Sequence, residues 1–259
     1  MRLTHNLHVH SVVSNCAKRE MLIPDIAAEA ERAGLDTIAV VDHIDLAEEP
    51  DREEAVLANR QIVEKLDGPV QVLAGCETTL IAPGVPAASE RTRRNLDIVL
   101  LALNHYHLAN VERPRDETPR AYAEHHLVMM RSAAALPYVH AIAHPFCHTK
   151  LRDLDIGQTL SAYDLSEVRE TLALLAQAGI RLEINPGHVR VAPQFFGDVA
   201  RIARQVGLRF TTGTDAHRLE GIGYSVEAAS LLDSIGLRED DIALPDSLRP
   251  SQENRRCST

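Results

Sequence analysis

The stretch "PDIAAEAERAGLDTIAVVDH" occupies residues 24–43. Its first half predicts a helix, with Pro24 just inside the start and Gly34 just past the end. Its second half, "DTIAVVDH" (36–43), is a short apolar run of the length and composition of a buried strand. The run closes on Asp42 and His43, so a carboxylate and an imidazole stand where the strand gives way to a turn.

The same unit recurs along the chain. Further apolar runs are "RLTHNLHVH" (2–10), "VQVLAGCE" (70–77), "DIVLLALNH" (97–105), "VHAIAH" (139–144), "IRLEIN" (180–185) and "LRFTTGTDAH" (208–217). Helical patterns fall between them at 52–68, 118–136, 165–179, 193–207 and about 224–235. Short strands alternating with helices predict βαβ units and a parallel sheet. Seven strand candidates, most followed by a helix, point to an α/β fold closed into a TIM-like barrel. No Gly/Ser-rich linker divides the chain, so residues 1–245 are expected to form a single domain. The remainder, "DSLRPSQENRRCST" (246–259), reads as a polar tail in which Cys257 is a surface thiol.

Composition narrows the function. Of 259 residues, 45% are hydrophobic, enough for a large core, and the formal net charge is −10. That balance argues against a broad basic face for duplex nucleic acid. It leaves a small anionic substrate open, because bound metal ions can supply local positive charge. The absence of Trp and the 3% aromatic content argue against base-stacking platforms. The first residues, "MRLTHNLHVH", carry no apolar signal core, and no apolar run reaches the ~18 residues of a membrane span. Four cysteines show no CxxC pairing, so a cytoplasmic, reduced setting is expected.

Thirteen histidines are present, and they cluster at strand ends. The first strand ends in His8 and His10, the second in Asp42 and His43, the third in Glu77. The fourth ends at His105, the fifth at His144, the sixth at Glu183, and the seventh at Asp215 and His217. In parallel barrels the C-terminal strand ends form the active-site face. Within a strand, residues i and i+2 point the same way. His8 and His10 therefore aim at one point, and so do Asp215 and His217. A single HxH is weak, and a strand-ending Glu or an "AHP" turn has an ordinary structural reading. Seven such coincidences at one end of seven strands do not. Imidazoles and carboxylates together suit Zn, Mn or Fe.

The series resembles the PHP (polymerase and histidinol phosphatase) family. The motifs that carry the likeness are "NLHVHS", "VDH", "GCE", "LNH", "AHP" and "TDAH", in order from residue 5 to about 220. The resemblance implies a distorted (β/α)7 barrel holding two or three divalent metals. It implies that His8, His10 and Asp215 hold one ion, and that Glu77 bridges it to a second bound by His105 and His144. A third site would use His43 and His217. Its last ligand in related members is a His or Asp at the positions that are Asn15 and Cys16 here. A thiolate ligates zinc or iron well, so Cys16 is a candidate ligand; as a half-buried bystander it would leave the cluster binuclear. Asn6 replaces the usual Asp, which changes a hydrogen bond behind a ligand, and Val41 replaces Thr. Asp42 and Glu183 are expected to orient ligands rather than bind metal.

His5 has the opposite parity to His8 and His10 and is expected to be structural. His125 and His126 are read as surface residues of a helix, His140 and Cys76 as packed, and Cys147 as packing in its loop. His107 and His148 fall in loops that would rim the site. Candidate cations for a phosphoryl group are Lys18, Arg19, Lys150, Arg190 and Arg218. No Gly-rich phosphate loop or supported Ser-His-Asp arrangement is present, so water attack is expected, with Asp215 and His217 nearest for proton transfer. The expectation is a metal-dependent phosphomonoesterase acting on a small phosphorylated metabolite such as histidinol phosphate, a nucleotide or a sugar phosphate. A phosphodiesterase, a non-phosphate ester or amide hydrolase, and a non-catalytic metal-binding module are the alternatives.

Overall fold

The computed structural model describes residues 1–147 and 155–248. Seven strands, β1 (His5–Val9), β2 (Thr37–Ile44), β3 (Gln71–Ala82), β4 (Ile98–Ala102), β5 (Ala141–Ala143), β6 (Arg181–Ile184) and β7 (Phe210–Thr212), pair in parallel in chain order. A two-residue strand, Val85–Pro86, pairs antiparallel with the end of β3. The helices are α1 (Ile23–Arg32), α2 (Pro50–Val63), α3 (Glu90–Arg94), α4 (Pro119–Ala133), α5 (Ile156–Ser161), α6 (Leu165–Gln177), α7 (Pro186–Val191), α8 (Pro193–Val206) and α9 (Val226–Ser234). The fold is the expected distorted (β/α)7 barrel. Among the described residues, no helix is long and apolar enough to cross a membrane.

The alternation that predicted strands also sorts their two faces. Leu7, Ala39, Val41, Leu73, Leu100, Ala102, Ala141 and Ala143 form one buried cluster inside the barrel. Many of these are small, which suits a narrow interior. Gly75 takes this to its limit. A methyl there would lie 2.5 Å from the Ile98 carbonyl oxygen, so only glycine allows β3 and β4 this approach. The opposite faces, with Leu101, Ile142, Leu182 and Phe210, pack under α4, α6 and α8. Helix α1 buries Ile23, Ile26 and Ala30, one stripe of a 3.6-residue period.

The barrel closes unevenly. Among the described residues, an isolated bridge joins Val9 to Ala216 just beyond β7, held by His10 N–H to Ala216 O (3.0 Å) and Ala216 N–H to His8 O (3.3 Å). Side chains seal the rest of this seam. The His5 carbonyl accepts from the Thr212 hydroxyl (2.6 Å) and the Tyr224 hydroxyl (3.0 Å), and His5 Nε2 meets Thr211 Oγ1 at 3.1 Å. Burial pushes His5 down to about 4. The β1–β2 register also slips between Asn6 and Val9, a bulge of the kind that re-aims side chains at a rim.

Three expectations need correction. The seventh strand stops at Thr212 rather than running on to His217. Asp215 has φ +56°, so the chain turns there instead of extending. His126 is not on the surface. It lies on the buried stripe of α4 with Tyr122 and Met130, and its Nδ1 pairs with the Tyr163 hydroxyl at 2.8 Å. A polar partner inside the core is what lets a mid-helix histidine face inward. Asp246–Leu248, read as the start of a polar tail, form a short turn whose Leu248 is buried and whose Asp246 pairs with Arg181 at 3.1 Å. His148, Lys150 and Cys257 lie outside the described residues.

Candidate metal centre

The strand ends do converge. His8 Nε2 and His10 Nε2 stand 3.1 Å apart. Asp215 Oδ1 is 3.0 Å from His10 Nε2 and 3.5 Å from His8 Nε2. Glu77 lies between several imidazoles: Oε1 is 2.6 Å from His144 Nε2, and Oε2 is 2.9 Å from His43 Nδ1. Three sets of donor atoms lie within 4.8 Å of one another: His8, His10 and Asp215; His8, Glu77 and His144; and His10, His43 and His217. The first set is the one expected. In the second, His8 takes the place assigned to His105, whose Nε2 is 3.7 Å from Glu77 Oε1. The turn at Asp215, rather than a strand, brings Asp215 and His217 to the same point.

The residues behind these groups fix which ring nitrogens face inward. Glu183 Oε2 takes the Nδ1–H of His8 at 2.6 Å, which leaves the lone pair on Nε2. His10 is held through a hydroxyl. Ser14 Oγ donates to Asp42 Oδ1 at 2.6 Å, so it can only accept from His10 Nδ1–H at 3.3 Å. Asp42 is an anchor for the whole loop, also accepting from the Ser11 N–H and hydroxyl, the Ser14 N–H and Asn59 Nδ2. Asn6 accepts from the backbone of His8 and Thr214, and donates to Thr214 Oγ1 and the Ile222 carbonyl. It shapes the turn that presents Asp215. Arg52 donates to the carbonyls of His43 and Val13, tying β2 to the same loop.

With both Nδ1–H groups committed, His8 and His10 present two Nε2 lone pairs to each other and to two carboxylates. Such a constellation of acceptors calls for a cation between them. Glu77 Oε2 and His43 Nδ1 are buried and face each other at 2.9 Å. These donor types and their convergence fit divalent metal ions.

The electrostatics agree. Burial pushes His8 down, but the charges of Glu183, Glu77 and Asp215 reverse this and hold it well above its ordinary value. His43 is likewise opposed by burial and raised to about 11 by Glu77. Burial leaves His10 at about 4. Glu77 and Asp215 sit well below the usual carboxylate range; burial raises both, and the surrounding imidazoles outweigh it.

Cys16 is exposed at the edge of the cluster. Burial raises its thiol, but hydrogen bonds with His217 and His43 lower it to about 6. The thiol therefore lies with the two histidines of the expected third site. The rim candidates are less gathered. Lys18, Arg19, Arg190 and Arg218 are exposed, and Lys18 reaches the site through its backbone N–H, bonded to the His217 carbonyl at 2.9 Å. The His107 ring stands edge-on to His105 with centroids 5.3 Å apart. Cys147 Sγ lies 3.5 Å from His188 Nε2, while Cys76 is fully buried.

Sequence reasoning missed Asp45. It follows His43 at i+2 in "VDHIDL", the same parity rule that gathered His8 with His10. Asp45 Oδ1 accepts from Thr79 Oγ1 at 2.6 Å and lies 3.5 Å from His105 Nδ1. Burial raises its pKa, and the contacts with His105, His43 and Thr79 outweigh this and bring it down to about 2. His43 and Asp45 also open onto a cleft of about 660 Å³ walled by Leu46, Glu49 and Leu108.

Comparison with known proteins follows the same line. A protein from Caldanaerobacter subterraneus, named a probable phosphatase, is 27% identical over 253 residues, covering 93% of this chain and 86% of the relative. One of the same description from Syntrophotalea carbinolica is 28% identical over 244 residues, covering 92% and 90%. The fold matches the crystal structure of a histidinol phosphate phosphatase from Lactococcus lactis, solved with zinc, L-histidinol and phosphate. That match has a TM-score of 0.67 at 17% identity, over 97% of this chain and 100% of that one. The PHP domain model matches residues 6–186, from the first strand through the sixth, and with that span the chain belongs to the PHP domain family.

Proposed function

We propose that the protein is a metal-dependent phosphomonoesterase acting on a small phosphorylated metabolite by attack of water. The support that carries most weight is the pair of Nε2 lone pairs of His8 and His10, 3.1 Å apart and facing Asp215 and Glu77. In this reading His8, His10 and Asp215 hold one ion, and Glu77 and His144 a second, with His105 at its edge. His43 and His217 hold a third beside His10, with Cys16 as its outer ligand. When bound, zinc, manganese or iron lowers the pKa of water and neutralises charge on the phosphoryl oxygens.

The chain's own residues then have distinct tasks. Glu183 and the Asp42–Ser14 pair keep His8 and His10 with Nε2 inward. Among the three acids that face His8, Glu77 and Glu183 are sealed from solvent, while Asp215 is about 30% exposed. A group that passes a proton outward must touch both water and the centre, so Asp215 takes that role. His217 stands beside it, its Nδ1 donating to the Asp215 carbonyl at 2.7 Å. The cleft beside His43 takes the rest of the substrate, and its size suits a small molecule.

The test is a turnover screen of the zinc- and manganese-loaded protein. Histidinol phosphate comes first, because the Lactococcus neighbour was solved with L-histidinol and phosphate. Sugar phosphates, nucleoside monophosphates and bis-phenyl phosphodiesters complete the panel. Hydrolysis of a monoester, abolished in folded His8→Ala and Asp215→Ala, is expected. Turnover of diesters alone would overturn the monoesterase assignment. Activity that persists in both variants would place the chemistry elsewhere.

A further inference from the structure

Three adjacent strands deliver one side chain each to the same corner of the barrel. Asp45 follows β2, Thr79 lies near the end of β3, and His105 follows β4. Thr79 Oγ1 is 2.6 Å from Asp45 Oδ1 and 2.7 Å from His105 Nδ1. A threonine hydroxyl has one proton, and an ionised carboxylate only accepts. Thr79 therefore gives its proton to Asp45, and its oxygen accepts from His105 Nδ1–H at 2.7 Å, closer than Asp45 Oδ1, which faces the same nitrogen at 3.5 Å. His105 is left with its lone pair on Nε2, 3.7 Å from Glu77 Oε1. The Asp42–Ser14–His10 chain on the other side of the centre has the same order of carboxylate, hydroxyl and imidazole.

We propose that Asp45, acting through the Thr79 hydroxyl, is a positioning residue that fixes the tautomer of His105 and turns its Nε2 toward the metal centre. This rests on His105 belonging to that centre, as read above. The proton order predicts which substitutions matter. In Asp45→Asn the amide can donate to Thr79, which frees the threonine proton for His105 Nδ1 and moves the ring proton to Nε2. In Thr79→Val the hydroxyl is lost with little change of shape. Thr79→Ser keeps it.

The test uses the full chain, with zinc as the probe. Nitrogen NMR of the His105 ring, assigned against His105→Gln, reads the tautomer in the metal-free protein, and chelator competition reads zinc affinity. Expected in wild type and Thr79→Ser is an Nδ1–H ring. Expected in Asp45→Asn and Thr79→Val is a shifted or mixed tautomer, with one zinc step weakened about 10–100-fold. An unchanged tautomer and zinc binding within twofold in both variants would overturn the positioning role alone. Zinc binding undiminished in His105→Gln would overturn the ligand reading beneath it. Far-UV circular dichroism on each variant separates these results from a loss of fold.

Discussion

Gly213 lies directly after β7, against the two groups that anchor the first strand's ligands. A methyl on its Cα would sit 2.7 Å from His8 Cβ, 2.8 Å from Glu183 Cδ and 3.0 Å from Glu183 Oε1. Carbon atoms pack at about 3.5 Å or more, so Gly213→Ala forces these neighbours back by roughly 0.8 Å. His8 Cβ is fixed by the strand, and the Glu183 carboxylate carries the 2.6 Å bond to His8 Nδ1. Neither can yield without disturbing the other. Overpacking of this kind costs about 1–3 kcal/mol. At about 2–4 °C per kcal/mol for a chain of this size, Tm of the metal-free protein should fall by roughly 2–12 °C. Misalignment behind a ligand weakens metal binding about 10–100-fold, so zinc affinity should fall as well. Scanning calorimetry and chelator competition measure the two effects. Gly68→Ala is the control, since a methyl there meets nothing within 4 Å. A Gly213→Ala protein with lowered Tm and undiminished zinc affinity would refute the link between this packing and the centre.

Other predictions follow from single contacts. Glu183→Gln removes the negative charge behind His8 Nδ1–H and should weaken zinc binding about 10–100-fold with little change in fold; affinity within twofold of wild type would show that the charge is dispensable. Cys16→Ser should lower the zinc stoichiometry measured by mass spectrometry, and Cys16→His should restore it; identical stoichiometry in all three proteins would leave Cys16 outside the centre. Acid should destabilise the metal-free chain through His5 and His140, both pushed down to about 4 by burial. The unfolded chain takes up these protons below about 6.5 and the folded chain does not. Their contribution is therefore complete above pH 6.5 and lost as pH falls toward 4. It amounts to up to about 3 kcal/mol for His5 and less for the partly exposed His140. Urea midpoints from pH 7.5 to 4.5 measure the slope, and an unchanged slope in His5→Asn would contradict it.

The barrel was legible because period-2 burial and helix punctuation are local signals. The strands carrying His8, His43 and Glu77 and the helices beginning near Pro24 and Pro193 lie within a few residues of their expected limits. Ligand types were legible for the same reason: each closes its own apolar run. What joins them was not. Thr79 meets Asp45 and His105 across separations of 34 and 26 residues, and register between neighbouring strands, invisible in one strand's pattern, decides that meeting. The turn that presents Asp215 was read as strand because "FTTGTDAH" alternates acceptably. Asn6, more than 200 residues away, holds Thr214 in that turn. His126 was misplaced because nothing in α4 announces the Tyr163 hydroxyl waiting inside.

The seam between β1 and β7 gives the centre a second consequence. His8 and His10 stand on one lip of that seam and Asp215 on the other, beside the isolated Val9–Ala216 bridge. A cation shared by the three would therefore be a clasp between strands some 200 residues apart, placed where the backbone ladder is thinnest. Such a clasp is a mass-action contribution to folding, about 2.7 kcal/mol when the free ion is at a hundred times its dissociation constant. The barrel would then tighten and slacken with the metal supply around it. With the ion withdrawn, this seam would be the first to part.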